Sequence, residues 1–233
     1  DDLAYRSIAH YIQAKDQASA QPEAFWEAIA NQFEWYQKWD TTLEYDFHKP
    51  EIKWFLGGKL NITENCLDRH LKTQPNQTAI IFEPNDPKET AQHISYKELH
   101  SRVCRVANML KKNGAKKGDR ICLYMPMVPE LAVTVLACAR IGAIHSVVFA
   151  GFSAAALAAR INDADCVMLV TADGGFRGAK VTPLKDIADE ALTHCKSINT
   201  SIVLKRTGQE VAWNDIDVWW HEALAEVDDY CPA

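Results

Sequence analysis

The stretch IHSVVFAGFSAAALAARINDADCVMLVTADGGFRGAKVTPLK, from Ile144 to Lys185, decides how this chain folds. Ser146 to Phe149 is short, apolar and rich in β-branched side chains, which predicts a buried strand. Ser153 follows a turn of small residues and is suited to cap a helix that runs through Ile161. The apolar run from Cys166 to Val170 predicts a second strand. A helix of this length between two strands implies that the strands pair in parallel.

The second strand leads into a glycine-rich loop, Asp173 to Lys180, which contains Arg177 and Lys180. Pro183 is then suited to the first position of the next helix. Ligands of parallel α/β sheets bind outside the carboxyl ends of the strands, where this loop and the Phe149–Ser153 turn are both expected. Glycines let backbone donors approach an anion, and an arginine can hold a phosphate by two parallel hydrogen bonds. We therefore predict an anion-binding site, although the spacing alone also fits a solvated loop with two surface cations.

Residues 76–233 alternate strands and helices, which predicts an α/β layered fold with a mostly parallel sheet and helices on both faces. Ser95 and Glu98 form a capping box at the start of one helix, and Gly114 is suited to its end. The helix that opens at Pro129 is apolar nearly all round and should be deeply buried. Further strands are predicted at Thr78–Phe82, Arg120–Tyr124 and Ile202–Leu204, and a last helix near Val218–Glu226.

Residues 1–75 form a separate region that is rich in aromatic side chains. Pro22 begins a predicted helix with Phe25, Ile29, Phe33 and Tyr36 on one face. The stretch from Asp40 to Leu60 predicts an irregular wrap with a turn at Gly57-Gly58. The rings are best explained as packing groups that anchor the region on a neighbouring surface. The chain is thus predicted to have a helical and irregular aromatic-rich extension at 1–75, followed by the α/β domain.

The composition is that of an ordinary soluble protein, because 48% of the 233 residues are hydrophobic and 24% are charged. The formal charge of −6 argues against a general nucleic-acid surface, which needs a basic face. Seven scattered cysteines without a CxxC pair indicate free thiols in a reducing compartment. The chain start lacks the pattern of a signal peptide, and the apolar run Leu131 to Ala139 is too short to span a bilayer. We therefore expect a cytoplasmic protein without a membrane segment.

Two other patterns suggest chemistry only weakly. Gly151-Phe152-Ser153-Ala154-Ala155 nearly matches the nucleophile elbow of hydrolases, but its second glycine is replaced and a helix cap explains Ser153 more simply. Cys66 and His70 lie one helical turn apart, but a zinc site needs three or four ligands. We predict neither a serine nucleophile nor a metal site.

Two runs of sequence carry a family resemblance. The run WFLGGKLNITENCLDRHL, from Trp54 to Leu71, resembles the amino-terminal signature of short-chain acyl-CoA synthetases. The run from Lys116 to Lys185 is similar to the acetyl-CoA synthetases, or acetate–CoA ligases, of the adenylate-forming superfamily. The resemblance covers nearly the whole chain and is most specific through VVFAGFS and RGAK.

The resemblance implies a two-step reaction and a CoA site. Acetate attacks the α-phosphorus of ATP, with magnesium present, to give acetyl-adenylate and pyrophosphate, and the thiol of CoA then attacks the adenylate to give acetyl-CoA and AMP. Arg177, Gly178, Ala179 and Lys180 match the segment whose basic pair lies beside the CoA 3′-phosphate. Phe149, Ala150 and Gly151 match a stretch near the CoA entrance. Many relatives have glycine where Ala150 stands, and one extra methyl group should be tolerated.

The family's Ser/Thr/Gly-rich phosphate loop, its ATP-binding motifs, its acetate pocket and its adenylation lysine do not occur in these 233 residues. The chain therefore resembles the amino-terminal part of a longer ligase, with 76–233 as the incomplete first part of the AMP-binding domain. ATP and Mg²⁺ are expected to bind outside this chain, no catalytic residue or metal ligand is assigned within it, and the chain alone should be inactive.

The expected partners are the small molecules acetate, ATP and CoA. A propionate or acetoacetate ligase stays open, because the residues that select the acid are expected elsewhere. A CoA- or nucleotide-binding module without catalysis, or a docking domain that uses its aromatic region, are the alternatives from other classes.

Overall fold

The computed structural model describes residues 6–233 in two compact units, of which the first ends at Asn61 and the second begins at Ile62. The first unit contains helices α1 (Ile8–Ala20) and α2 (Pro22–Ala30). They are followed by an antiparallel hairpin of β1 (Thr41–Asp46) and β2 (Glu51–Leu56). The domain boundary near residue 75 stays a prediction.

Aromatic rings in the first unit pack against one another. Trp35, Trp39 and Phe55 form a cluster with ring centroids 4.9 to 5.7 Å apart. The indole of Trp35 donates a hydrogen bond to the carbonyl of Ala30 at 2.9 Å, which joins the cluster to the end of α2. The rings therefore serve as the packing groups of this small unit, whose helices and strands bury few other side chains.

Two predictions for this region are wrong in part. The helix that begins at Pro22 ends at Ala30, so Phe33 and Tyr36 lie beyond it. The predicted irregular wrap contains the β1–β2 hairpin, whose strands are mostly exposed and lack the apolar alternation that identifies a strand in sequence. The turn at Gly57 is confirmed, and its φ of +79° explains the glycine.

The second unit opens with a π-helical segment at Glu64–Asp68 that leads into α3 (Arg69–Leu71). An antiparallel hairpin of β3 (Thr78–Phe82) and β4 (Gln92–Ser95) follows, and then α4 (Tyr96–Lys112). The hydroxyl of Ser95 accepts a hydrogen bond from the amide of Glu98 at 3.2 Å, as the capping motif predicts. The Glu98 carboxylate pairs with Arg102 at 2.6 Å instead of closing the capping box.

A five-stranded, fully parallel sheet forms the centre of the second unit. Its strands, in spatial order, are β11 (Asp217–Trp219), β10 (Thr200–Leu204), β7 (Met168–Ala172), β5 (Arg120–Leu123) and β6 (Ile144–Val147). The helices between them are α5 (Pro129–Arg140), α6 (Ala154–Ala164) and α7 (Leu184–Leu192), and α8 (Trp220–Ala225) follows the last strand. A small hairpin of β8 (Gly175–Arg177) and β9 (Lys180–Thr182) lies between β7 and α7.

Successive side chains of the central strands enter two different cores. Ile121 and Leu123 pack with Val170 into the core that α4, α5 and α8 cover. Cys122 and Leu169 pack into the second core, beneath α6 and α7. Because strand side chains alternate between faces, this partition places helices on both sides of the sheet. The α/β layered fold is therefore confirmed.

The position of β6 differs from the prediction. β6 ends at Val147, so Val148 and Phe149 of the predicted strand lie beyond it. β6 and β7 are parallel, but β5 lies between them, and β6 is one of the two edge strands of the sheet. Ile144 is 54% and Val147 is 50% exposed, so this strand is not buried. A βαβ unit can skip over a strand, and neither apolar content nor helix length shows whether it does.

Three smaller corrections concern element boundaries. Asp217–Trp219 forms β11, so the last helix begins only at Trp220. Pro183 is the cap of α7 and not its first residue. The helix from Pro129 buries one face and leaves the others half-exposed, which its uniform apolar sequence did not predict.

Asp68 joins three helical segments of the second unit. It accepts hydrogen bonds from both terminal nitrogens of Arg140 at 2.8 and 2.9 Å, and His100 Nε2 lies 3.2 Å from Asp68 Oδ1. Burial raises the pKa of Asp68, but the hydrogen bonds from His100 and Arg140 outweigh burial and hold this pKa well below its usual range. The hydrogen bond to Asp68 raises the pKa of His100 to about 9, with the Cys104 thiol adding to the effect.

The His100–Asp68 pair predicts a pH-dependent stability. An unfolded histidine loses its proton near its ordinary pKa of 6.5, whereas the folded His100 keeps it up to about 9. The pair's contribution is therefore complete below about pH 6.5 and lost as the pH rises through about 9. We expect the free energy of unfolding, measured by urea titration, to fall by on the order of 1–2 kcal/mol over this range.

His100→Gln should abolish this loss, and His145→Gln, which removes an exposed histidine, should retain it. A constant difference in stability between the wild type and His100→Gln from pH 6 to pH 10 would contradict the assignment.

Candidate functional site

An open cleft of about 690 Å³ lies at the carboxyl edge of the parallel sheet. Segments that follow β5, β6, β7 and β10 all contribute to its lining, together with the loop after β3. The volume is in the range of sites that hold small molecules or cofactors. Its lining includes Met125–Val128, Val147–Gly151, Gly175–Arg177 and Arg206.

The turn after β6 presents Phe149, Ala150 and Gly151 to this cleft. Phe149 is 61% exposed, and its ring packs edge-on against Phe152 at a centroid distance of 6.0 Å. The hydroxyl of Ser153 accepts a hydrogen bond from the amide of Ala156 at 3.3 Å, which confirms the predicted helix cap and gives this hydroxyl a structural role. The three residues therefore offer an aromatic face and small-residue backbone to a ligand.

Tyr124 joins this turn to the end of β5. It is fully buried at the end of β5, and its hydroxyl donates a hydrogen bond to the carbonyl of Phe152 at 2.8 Å. Burial raises the pKa of Tyr124, which keeps the hydroxyl protonated and able to donate. The sequence analysis missed this residue because its partner lies 28 positions away.

The predicted glycine-rich loop is in fact the β8–β9 hairpin. Arg177 and Lys180 face each other across its two strands, and Gly178 and Ala179 form the connection. Gly178 has a φ of +60° while Ala179 does not lie in the left-handed region, a pattern that matches a type II′ turn with glycine in its first central position. Asn85 fixes the turn, because its amide donates to the Gly178 carbonyl at 2.9 Å and accepts from the Gly178 amide at 3.3 Å.

Only one of the two predicted cations lines the cleft. Arg177 contributes to the lining, whereas Gly178, Ala179 and Lys180 form the exposed tip of the hairpin beside it. Arg177 thus lines the same cleft as Phe149, Ala150 and Gly151. Lys180 lies on the neighbouring strand β9 and is not part of the lining. Lys180 is exposed and has a long, flexible side chain beside the cleft.

A buried carboxylate fixes the base of the hairpin. Asp173 is fully buried, and its side-chain oxygens accept hydrogen bonds from four backbone amides at 2.6 to 3.1 Å. The donors belong to Gly174, Arg206, Thr207 and Gly208. Asp173 therefore joins the loop after β7 to the loop after β10.

A buried ion pair fixes the helix that follows the hairpin. Lys185 is fully buried, and its ammonium lies 2.6 Å from Asp189 and 2.8 Å from Asp217. Burial raises the pKa of Asp189, and the hydrogen bond from Lys185 acts against that rise. The spacing of four residues between Lys185 and Asp189 on one helix was a signal that could have identified part of this group.

Arg206 is a cation of the cleft that the sequence analysis missed. Its guanidinium carbon lies 5.2 Å from the centroid of the Phe176 ring, on the first strand of the hairpin. Its position in the sequence could have identified Arg206, because it comes just after the carboxyl end of β10 and parallel sheets bind ligands at that end.

No metal site is found within residues 6–233, where no group of three or more His, Cys, Asp and Glu side chains could hold an ion. His70 has packing partners of its own: its ring lies 4.7 Å from that of Tyr96, and its Nδ1 is 2.9 Å from the side-chain nitrogen of Gln74. The helices of the same residues are all too short or too polar to cross a membrane.

Comparison with known proteins decides the family. The model of the AMP-binding enzyme family matches residues 67–229. The chain belongs to the AMP-binding enzyme family. A second model, for the acetyl-coenzyme A synthetase N-terminus, matches residues 11–66.

Two curated proteins and one solved structure are similar to this chain. The chain is 53% identical over 91% of its length to an acetyl-coenzyme A synthetase of Alkalilimnicola ehrlichii, and 49% identical over 98% of its length to one of Halorhodospira halophila. These matches cover 33% and 36% of the respective relatives, so the chain spans about a third of their length. The solved structure of an acetoacetyl-CoA synthetase from Streptomyces lividans has a TM-score of 0.84 over 99% of this chain and 34% of its own, and at 24% identity it shows the shared fold.

The left-handed turn of the hairpin predicts that Gly178→Ala loosens the site without unfolding the domain. A side chain at φ +60° costs about 1 kcal/mol, and this cost falls on an exposed two-stranded element. We expect amide hydrogen exchange in the hairpin to become roughly fivefold faster, while the thermal midpoint of the whole chain stays within about 2 °C.

Ala179→Gly is the matched control, because Ala179 lies outside the left-handed region. Equal acceleration of exchange by both substitutions would show that the turn geometry is not what orders the hairpin.

Proposed function

We propose that this chain is the amino-terminal part of an AMP-forming acetate–CoA ligase and that its cleft binds the nucleotide portion of CoA. One observation carries the proposal. Phe149–Gly151 and Arg177, which are far apart in sequence, line a single open cleft in a chain that is about half identical to acetyl-coenzyme A synthetases.

The cleft fits the chemistry of the CoA nucleotide. The 3′-phosphate and the diphosphate need cations, and Arg177 and Lys180 lie on facing strands of one hairpin. The adenine base needs an aromatic or apolar face, and Phe149 is exposed in the lining of the same cleft. Ala150 adds only a methyl group to the cleft wall. Gly151 leaves room for the Phe149 ring, because a Cβ at this position would lie 2.6 Å from that ring. Bound CoA would supply the thiol that accepts the acetyl group, and the residues of this chain would hold and orient its nucleotide end.

The acetate, ATP and Mg²⁺ sites of the proposed ligase lie outside this chain. This division is proposed because the curated relatives are about three times as long as the chain. The choice of acetate over propionate or acetoacetate follows the names of the relatives that are about half identical. In this proposal residues 1–75 are the amino-terminal extension and residues 76–233 are the first part of the AMP-binding domain.

We also propose a cytoplasmic location. All seven cysteines are free thiols, and five of them are buried in the core of the second unit. Free buried thiols are typical of proteins that fold in a reducing compartment.

Arg177→Ala in the complete enzyme tests the CoA site. Removing one charge-assisted contact to phosphate should raise the KM for CoA by about tenfold. The rate of ATP–pyrophosphate exchange with acetate, which needs no CoA, should stay within about twofold of the wild type. Arg160→Ala, which removes an exposed arginine of α6 outside the cleft, is the control. An unchanged KM for CoA in Arg177→Ala would contradict the assignment of CoA to this cleft.

The chain by itself should not form acetyl-adenylate. With acetate, ATP and Mg²⁺, we expect pyrophosphate release at the level of a heat-denatured sample, because the adenylation residues are proposed to lie elsewhere. Turnover that rises in proportion to the concentration of the purified chain would refute this division of the activity.

A further inference from the structure

Arg206 is placed to act on a ligand of the cleft. It follows β10, and it lines the same cleft as Arg177 and the Phe149–Gly151 turn. Its side chain is 24% exposed and lies over the ring of Phe176, so its charge is partly withdrawn from water. A half-buried cation at the wall of a cleft interacts with an anion more strongly than an exposed surface lysine does.

The backbone of Arg206 is held rigidly. Its amide donates to Asp173 Oδ1 at 2.7 Å, and the next two amides, of Thr207 and Gly208, donate to the same carboxylate at 2.6 to 3.1 Å. The side-chain amide of Gln209 also donates to the Asp173 carbonyl at 2.7 Å. Five hydrogen bonds thus fix four consecutive residues against the end of β7, and an arginine on such a base loses little freedom when it binds.

The guanidinium has donors to spare. Across the part of the chain that the structure describes, its only ionic partner is Glu89, at 3.9 Å. This distance is too long for a hydrogen bond, and the Glu89 side chain is 47% exposed, so the attraction is weak. The guanidinium lies over the Phe176 ring, and within residues 6–233 none of its N–H groups donates a hydrogen bond, so these groups are left for a ligand.

We propose that Arg206 is a third phosphate-binding cation of the cleft and that Asp173 is the residue that positions it. This inference rests on the proposed CoA site and extends it. The CoA nucleotide carries about four negative charges near neutral pH, shared between a 3′-monoester and a diphosphate. Arg177 and Lys180 supply two positive charges on a hairpin whose tip is exposed, and Arg206 adds one on a fixed wall.

A ligand titration of the isotope-labelled 233-residue chain tests the proposal, with CoA and dephospho-CoA as the probes and amide NMR signals as the readout. NMR measures millimolar dissociation constants, which suits a chain that carries part of a site. Arg206→Gln should weaken CoA binding roughly tenfold relative to the wild type. Lys205→Gln is the matched control, because it removes the same charge from the adjacent, exposed position and should change the constant less than twofold.

The two probes show which phosphate group of CoA Arg206 contacts. Equal weakening for CoA and dephospho-CoA supports contact with the diphosphate, and weakening for CoA alone supports contact with the 3′-monoester. If Arg206→Gln binds both probes as Lys205→Gln does while Arg177→Gln weakens CoA binding, the role of Arg206 is refuted and the CoA site stands. If CoA shifts no signals even in the wild type, the proposed CoA site and this inference fall together.

Asp173→Asn tests whether Asp173 acts on CoA binding by positioning Arg206 or only by stabilising the fold. We expect it to weaken CoA binding at least as much as Arg206→Gln, because Asp173 also fixes the base of the hairpin that carries Arg177 and Lys180. It should weaken binding less in the Arg206→Gln background than in the wild type. Equal further loss in both backgrounds would give Asp173 a purely structural role. Arg206→Lys keeps the charge but loses the planar fork, so a constant between those of the wild type and Arg206→Gln is expected even if Asp173→Asn fails to fold.

Discussion

The arrangement of the cleft depends on the buried carboxylate of Asp173. Within the described residues no side-chain cation pairs with it, and its charge is met by four backbone N–H groups. A buried carboxylate without such partners would cost several kcal/mol, so the loops after β7 and β10 have to close around it. This single requirement sets where the β8–β9 hairpin starts and where Arg206 leaves the sheet. Both cationic parts of the cleft are therefore placed from one point.

The parallel sheet explains why these parts meet at all. The carboxyl ends of β5, β6, β7 and β10 lie on one edge, so the segments that follow them converge although they are separated by 20 or more residues in sequence. That edge could be predicted, because strand and helix patterns alternate along the chain and parallel pairing then follows from connection length. The order of the strands in the sheet could not be predicted. The run from Ser146 to Phe149 has the composition of a central strand, and its place at the edge depends on β5 being inserted beside β7.

The residues of the site also divide into those that local sequence patterns could identify and those that they could not. Ser153 serves local geometry as a helix cap, and a short-range pattern was enough to single it out. Gly178 was predicted only as part of a glycine-rich loop, and its role in a tight hairpin turn was not. Tyr124 and Asp173 act through partners 28 to 35 positions away, and nothing in their immediate neighbours distinguishes them. Arg206 was marked only by its place just beyond a predicted strand, and its bond to Asp173 leaves no local pattern. The aromatic first unit shows the same limit, since the β1–β2 hairpin is ordered by Trp35, Trp39 and Phe55 rather than by alternation along its strands. Periodicity identifies elements that bury one face, and contacts between distant loops leave no periodic trace.

The cations in and beside the cleft suggest how the proposed CoA site would bind a flexible, highly charged nucleotide. Arg177 and Lys180 lie on a two-stranded hairpin whose exposed turn is hydrogen-bonded to Asn85 and whose base is fixed by Asp173. Such an element can shift locally while the sheet stays rigid, because little apolar surface has to move with it. Arg206, by contrast, is held by the backbone on a fixed wall. A fixed charge selects the position of one phosphate, and adaptable charges then follow the rest of the ligand. Specificity would thus come from the wall and affinity from both, a division that requires Asp173 to be buried and the hairpin tip to be exposed, as they are here.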